Sequence, residues 1–237
     1  MTQSLVLSPE HFFLPWTATV RECTLVVELP EPYLVLSWAP LNGGLVEART
    51  ILNHQVRQTQ VDDVPHQEPE VFLSTLARHL DVREPVVGLM TGVKMDRAVR
   101  RVRQQDVLLI ECFATVGLSN ALAVGDPATY TESPGTINLM VVINRPLIPA
   151  ALAEAVGIVT EAKVRALYGA GVKSTVSDSL ATGTGTDCVA IACPNGAPAY
   201  RYCGKHTQLG ELLGRVTGEA VAEGLGRAGV SGSTAES

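Results

Sequence analysis

The chain has 237 residues, of which 46% are hydrophobic and 18% charged, and its net charge is −6. That length and apolar content suit one compact globular domain with a sizeable core. The acidic balance, interrupted only by a short basic cluster at Arg97–Arg103, argues against a nucleic-acid partner. No apolar run reaches bilayer-spanning length and no basic-then-apolar leader opens the sequence, so a cytoplasmic protein without a membrane association is expected.

In chain order, Thr24–Leu29 and Tyr33–Trp38 are β-branched or apolar runs, and Pro30-Glu31-Pro32 between them predicts a hairpin turn. Ala39–Gly44 carries strong breakers and reads as a loop. A helix is predicted over Glu68–Leu80, with Pro69 and acidic residues suited to its first turn. Pro85–Thr91 reads as a buried strand. Arg97–Val102 is compatible with a helix by composition, but a strand leading through Gln104-Gln105-Asp106 into Val107–Val116 makes a simpler hairpin. After Gly117–Leu122, the run Gly125-Asp126-Pro127 predicts a turn, and Thr136–Asn144 another strand. Pro149–Tyr168 is the strongest helix, closed by Gly169 and Gly171. The strand Asp187–Cys193 and a final helix over Thr207–Leu225 follow, with Gly229–Ser237 a disordered polar tail.

Hairpin connections outnumber β-α-β units. The fold class expected is therefore α+β: a single-domain sandwich over residues 1–228, with a mostly antiparallel or mixed sheet and helices packed on its faces.

Five cysteines without a C-x-x-C pair favour neither a disulfide framework nor a zinc site. Cys112, Cys188 and Cys193 lie in apolar runs; Cys203, beside Gly204 and His206, is the one candidate thiol nucleophile. Among His11, His54, His66, His79 and His206, only His206 trails a chemically loaded segment closely, and it precedes the helix N-cap candidate Thr207.

That segment is Ala181-Thr182-Gly183-Thr184-Gly185-Thr186-Asp187. Its glycines permit tight turns and close approach of a ligand, its backbone N–H groups can form an anion-binding nest, and Asp187 adds a charge or a base. A Gly/Thr hairpin turn entering a buried strand would account for part of that composition. In the long helix, Val156, Val159, Val164 and Leu167 mark an apolar side, and Thr160 and Lys163 fall on it. A lysine there must snorkel out or meet a carboxylate or ligand. Glu161, at the stripe's edge, can pair with Arg165. Asn120 and Asp126 bracket a loop after a long apolar strand, where binding residues gather, although either residue also forms Asx turns. Asn138 sits between Ile137 and Leu139 and, if buried, needs a partner in the backbone or in a substrate.

Several of these pieces, in this order, resemble the adenosylcobinamide amidohydrolase family, CbiZ. The matching stretches are Leu41–Leu45, Gly88–Thr91, Gly117–Leu122 with Gly125-Asp126, and Gly135–Asn138, then Thr160–Lys163 and Ala181–Asp187, spanning about Leu36 to Gly214. Gly92, where alanine is expected, and Val116 in Thr115-Val116-Gly117 are departures that remove no polar group. The resemblance implies hydrolysis of the amide joining the aminopropanol arm to the corrin ring of adenosylcobinamide, so the corrinoid is a substrate and no cofactor is expected. A non-catalytic corrinoid or nucleotide carrier is the alternative from another class.

Amide hydrolysis needs a nucleophile, a base, donors for an oxyanion and a proton for the amine. Asp187 or Glu161 would activate a water or a threonine hydroxyl, Lys163 would stabilise negative charge, and His206 would protonate the leaving amine. Thr182, Gly183, Thr184, Gly185 and Thr186 would supply donors, with Asn120, Asp126, Thr136 and Asn138 as further substrate-binding candidates. Asp126, Glu161, Asp187 and His206 could instead form an oxygen-rich metal site, but no metal-binding spacing such as H-x-x-x-H supports one, and none is expected. Asp187→Asn is expected to abolish turnover and leave the fold intact. An oligomer is compatible with the sequence.

Overall fold

The computed structural model describes residues 14–56, 68–128 and 135–230. His11, His66, Ser133, Pro134 and all but the first two residues of the predicted tail lie outside them.

The polypeptide forms, in order, β1 (Thr17–Arg21), β2 (Thr24–Ser37), β3 (Gly44–Gln55), α1 (Pro69–His79), β4 (Val86–Thr91), β5 (Val99–Gln105), β6 (Leu108–Val116), β7 (Ala121–Leu122), β8 (Ile137–Ile143), α2 (Pro149–Gly169), β9 (Gly183–Thr184), β10 (Cys188–Pro194) and α3 (Gln208–Arg227). Eight strands make one mixed sheet in the order β4-β3-β2-β10-β8-β6-β5, with β1 paired to β2. Only β3–β4 and β10–β8 are parallel. The α+β class with helices on the sheet is as the sequence predicts.

Three apolar clusters show how the layers stack. Alternate residues of β5, β6, β8 and β10 (Ile110, Leu139, Ile191) pack under α2 and α3. The opposite face of those strands (Phe113, Met140, Ala190) packs against Leu25, Val27, Ile51 and Leu89 from β2, β3 and β4. The far side of β2–β4 (Val26, Leu52, Val86) is covered by Leu73 and Ala77 of α1. The sheet therefore folds back on itself, and the period-2 alternation of each strand serves two cores.

The fold-back corrects one sequence expectation. Pro30-Glu31-Pro32 is no hairpin turn but lies inside β2, where Leu29–Pro32 oppose the single residue Arg49 of β3. Proline cannot donate to a ladder, so two prolines in a strand favour a bulge, and a bulge bends the strand. β2 instead makes a tight hairpin with β1. It turns on Glu22 and Cys23, at φ 45° and 60°, between the paired residues Arg21 and Thr24.

The helices obey their local signals. Pro69 and Pro149 stand at first-turn positions, and Gly171, at φ 64°, follows the end of α2. Thr207 caps α3, its Oγ1 accepting from Gly210 N at 2.9 Å. No helix among the described residues is long and apolar enough to cross a membrane.

Candidate active site

β8 and β10 run parallel, with Cys188 beside Asn138, so Asp187 enters the sheet next to the first residues of β8. Ile137 N donates to Asp187 Oδ1 at 3.0 Å. Thr184 Oγ1 donates to the same oxygen, and Lys163 Nζ, from the middle of α2, donates to Oδ2. Lys163 thus meets a carboxylate rather than reaching for solvent. Both side chains of this ion pair are only 9% exposed.

Gly183 makes the approach possible. A Cβ there would collide with Asp187 Oδ2 and stand 2.7 Å from Lys163 Nζ. The glycine is required by space, since its backbone is not in the left-handed region.

The rest of the Gly/Thr segment is held by its neighbours. β9 pairs with β7, Thr184 opposite Ala121 and Gly183 opposite Leu122. Thr182 N donates to Leu122 O at 2.9 Å, Thr182 Oγ1 accepts from Val124 N at 2.8 Å, and Gly185 N donates to Asn120 O at 3.3 Å. Thr186 Oγ1 donates to Gly135 O at 3.1 Å, and Thr136 Oγ1 donates to Thr186 O at 2.9 Å. Trp38, just past β2, donates its indole N–H to Asp187 O at 2.6 Å and remains 50% exposed.

Asn138 is buried and fully engaged. Its Oδ1 lies 3.2 Å from Thr136 Oγ1, which shares its one proton between this oxygen and Thr186 O. Its Nδ2 donates to Asn53 Oδ1 at 2.9 Å and to Met90 O at 2.6 Å. Asn53 Nδ2 in turn donates to Thr115 Oγ1 at 3.0 Å. This network joins β3 and β4 to β6 and β8 across the fold-back and supports the strand on which Asp187 rests.

Other candidates lie elsewhere. Asp126 is a loop staple: its Oδ2 accepts from Ala123 N at 2.7 Å and Ser174 Oγ at 2.6 Å, and its Oδ1 from Ser177 Oγ at 2.7 Å. Those hydroxyls and the backbone N–H hold its carboxyl below the ordinary aspartate range. Glu161 does not pair with Arg165. It faces solvent and meets Lys205 at 2.5 Å, and the adjacent His206 is exposed. Among the described residues, no three of the His, Cys, Asp and Glu side chains converge, so Asp126, Glu161, Asp187 and His206 form no common donor set. Cys203 is fully buried, and burial, then the nearby Glu154 carboxylate, push its thiol up to about 12. It cannot supply a thiolate at neutral pH.

Trp38 and Asn53 are the residues sequence reasoning missed. Asn53 follows Ile51-Leu52 as Asn138 follows Ile137, so the same cue, a carboxamide in an apolar run, was present.

Residues 15–231 match the family model described as adenosylcobinamide amidohydrolase, CbiZ. A protein of Methanosarcina mazei named adenosylcobinamide amidohydrolase is 29% identical over 194 residues, covering 78% of this chain and 86% of the relative. One of the same name from Halobacterium salinarum is 29% identical over 210 residues, 84% of each chain. An uncharacterized protein of Methanocaldococcus jannaschii is 29% identical over 222 residues, 85% of each. The matched span holds every residue that meets the Asp187 carboxylate. The chain belongs to the adenosylcobinamide amidohydrolase family, CbiZ, and is a hydrolase acting on an amide C–N bond.

Proposed function

We propose that this protein hydrolyses the amide between the aminopropanol arm and the corrin ring of adenosylcobinamide. The products are adenosylcobyric acid and 1-aminopropan-2-ol, in a cytoplasmic salvage route that returns cobyric acid to coenzyme B12 synthesis. One observation carries the reading: Thr184 Oγ1 donates to a buried Asp187 carboxylate whose other oxygen is held by Lys163. A hydroxyl paired with a base, and a base oriented by a third group, is the arrangement nucleophilic acyl transfer requires.

Thr184 Oγ attacks the amide carbon as its proton passes to Asp187. The C–O bond forms and the π pair moves onto the carbonyl oxygen. Collapse breaks the C–N bond, and the proton held by Asp187 goes to the departing nitrogen. Water then enters in the amine's place and attacks the ester carbon as Asp187 accepts its proton. Collapse breaks the C–O bond to Thr184, whose Oγ takes that proton back from Asp187, and the acid is released. Lys163 keeps the carboxylate aimed. Glu161 and His206, on the solvent side of α2 around Lys205, take no step in this sequence. The half-exposed face of Trp38, fixed by its bond to Asp187 O, offers the broad apolar corrin a surface beside the reacting atoms.

The test is incubation of the purified protein with adenosylcobinamide in the dark, followed by mass spectrometry. Adenosylcobyric acid with free aminopropanol is the expected result. Unchanged substrate that co-elutes with the protein would mean a carrier, and neither binding nor turnover would remove the corrinoid altogether. Thr184→Ser should retain activity and Thr184→Val should lose it; an active valine variant would hand the attack to water.

A further inference from the structure

An oxyanion needs donors that the folded chain has not already committed, and the Gly/Thr segment has few. Thr182 N–H and Gly185 N–H are given to Leu122 and Asn120 carbonyls. The Thr184 and Thr186 hydroxyls donate to Asp187 and Gly135, and the Thr182 hydroxyl is occupied by Val124 N–H.

Beside them lies a side chain that the fold does not use. Asn120 is 3% exposed, and its buried Oδ1 has no hydrogen-bond partner among the described residues. Such an orphan costs about 1–3 kcal/mol, and an apolar side chain of the same shape would avoid it. In folding terms leucine would serve better there. The amino end of the carboxamide faces the loop, with Nδ2 only 3.7 Å from where a Cβ on Gly185 would lie. Gly185 itself is exposed and adjoins Thr184, so its missing side chain leaves that approach open. The backbone is equally fixed: Asn120 precedes β7, whose Ala121 pairs with Thr184, and a Cβ on Gly135 would stand 2.9 Å from Asn120 N.

We infer that the Asn120 carboxamide donates an N–H to the carbonyl oxygen of the scissile amide and stabilises the oxyanion formed when Thr184 attacks. The assignment rests on the amidohydrolase reading above and adds to it the group that receives the negative charge. Lys163, held on Asp187 Oδ2, orients the base, whereas Asn120 approaches from the β7 side of the same loop. The bond strengthens as charge develops, so its loss falls on kcat and not on substrate affinity.

Two variants test this on the intact protein with adenosylcobinamide. Asn120→Asp keeps the shape and removes the donor, and Asn120→Leu removes the whole carboxamide. Both should lower kcat by about 10²–10³-fold with KM within a few-fold of the parent, the usual consequence of deleting one oxyanion donor. The leucine variant should melt at or above the parental temperature, because the orphaned oxygen is gone. A merely structural asparagine would show the opposite pattern, lower melting with kcat retained. Parental kcat in Asn120→Asp, or a raised KM with kcat unchanged, would overturn the assignment. A parent protein that releases no aminopropanol would remove the amidohydrolase reading and this one with it.

Discussion

Lys163 and Asp187 are separated by 24 positions in the chain and share an almost dry contact, and that burial sets what their removal does. Breaking a buried pair on one side leaves the other charge without compensation, at about 3–5 kcal/mol, whereas replacing both by apolar groups is often neutral. Asp187→Asn should therefore abolish turnover and, with the fold intact, lower the thermal midpoint. Lys163→Met with Asp187→Leu should regain most of the stability and none of the activity. Melting curves of the three proteins decide the point, and a parental midpoint for Asp187→Asn would mean that the pair carries no net charge separation. Gly183→Ala tests the same contact sterically. Its methyl would sit among Asp187 Oδ2 and Lys163 Nζ, so activity should fall at least tenfold with about 1–3 kcal/mol of stability. Wild-type turnover in that variant would show that the loop can shift without consequence.

At the scale of elements, the Asp126 staple joins the loop after β7 to the Ser174–Ser177 segment that leads into the Gly/Thr run. Its carboxyl is held below the ordinary range by Ser174, Ser177 and Ala123 N–H. For a depressed pKa, the stabilisation is fully present above the unfolded value of about 4 and is lost as pH falls through the folded one. Asp126→Asn should therefore lower stability at neutral pH, with the gap to the parent closing as pH falls below about 4, so that the acid limb is flatter. Denaturation at a series of pH values would show it, and two superimposable profiles would contradict it. Elements also mark how far the sequence could be read. α1, α2 and α3 carried helix-start or helix-stop signals, β4 and β6 were continuous apolar runs, and β5, helix-compatible by composition, was placed only by the hairpin it makes with β6. β3 did not: Thr50, Asn53 and His54 are buried polar residues in its second half, so no alternation distinguishes a face. β2 was split because prolines that make a bulge look, in sequence, like prolines that make a turn. In the site, Lys163 was legible since a charge on an apolar stripe must find a partner. Trp38 was not, because its role depends on which strand lies beside β2, a fact of topology that neighbouring residues do not encode.

The whole molecule is an open sheet folded back on itself, and one buried charge ties its two layers together. Glu111 on β6 is fully buried. Its Oε2 accepts from Trp16 Nε1, just ahead of β1, and its Oε1 from Arg100 on β5, whose guanidinium lies 5.6 Å from the Phe113 ring centre. Burial pushes the Glu111 carboxyl above its ordinary range, while Arg100 and the Trp16 N–H pull it back. Two donors and no acceptor on its oxygens describe a carboxylate, so Arg100 is its necessary counter-charge. Glu111→Gln should destabilise the protein by about 3–5 kcal/mol, and Glu111→Leu with Arg100→Leu should recover most of that loss. No bond runs from Glu111 to the Asp187 carboxylate, whose partners are Ile137, Thr184 and Lys163, so kcat well below the unfolding transition should stay near the parental value. Urea midpoints measured beside turnover separate the two quantities. A glutamine variant with parental stability would show that the carboxyl is already neutral in the fold, and one that stays folded but loses kcat would tie this contact to the chemistry through the Asn53–Asn138 network that spans the same two layers.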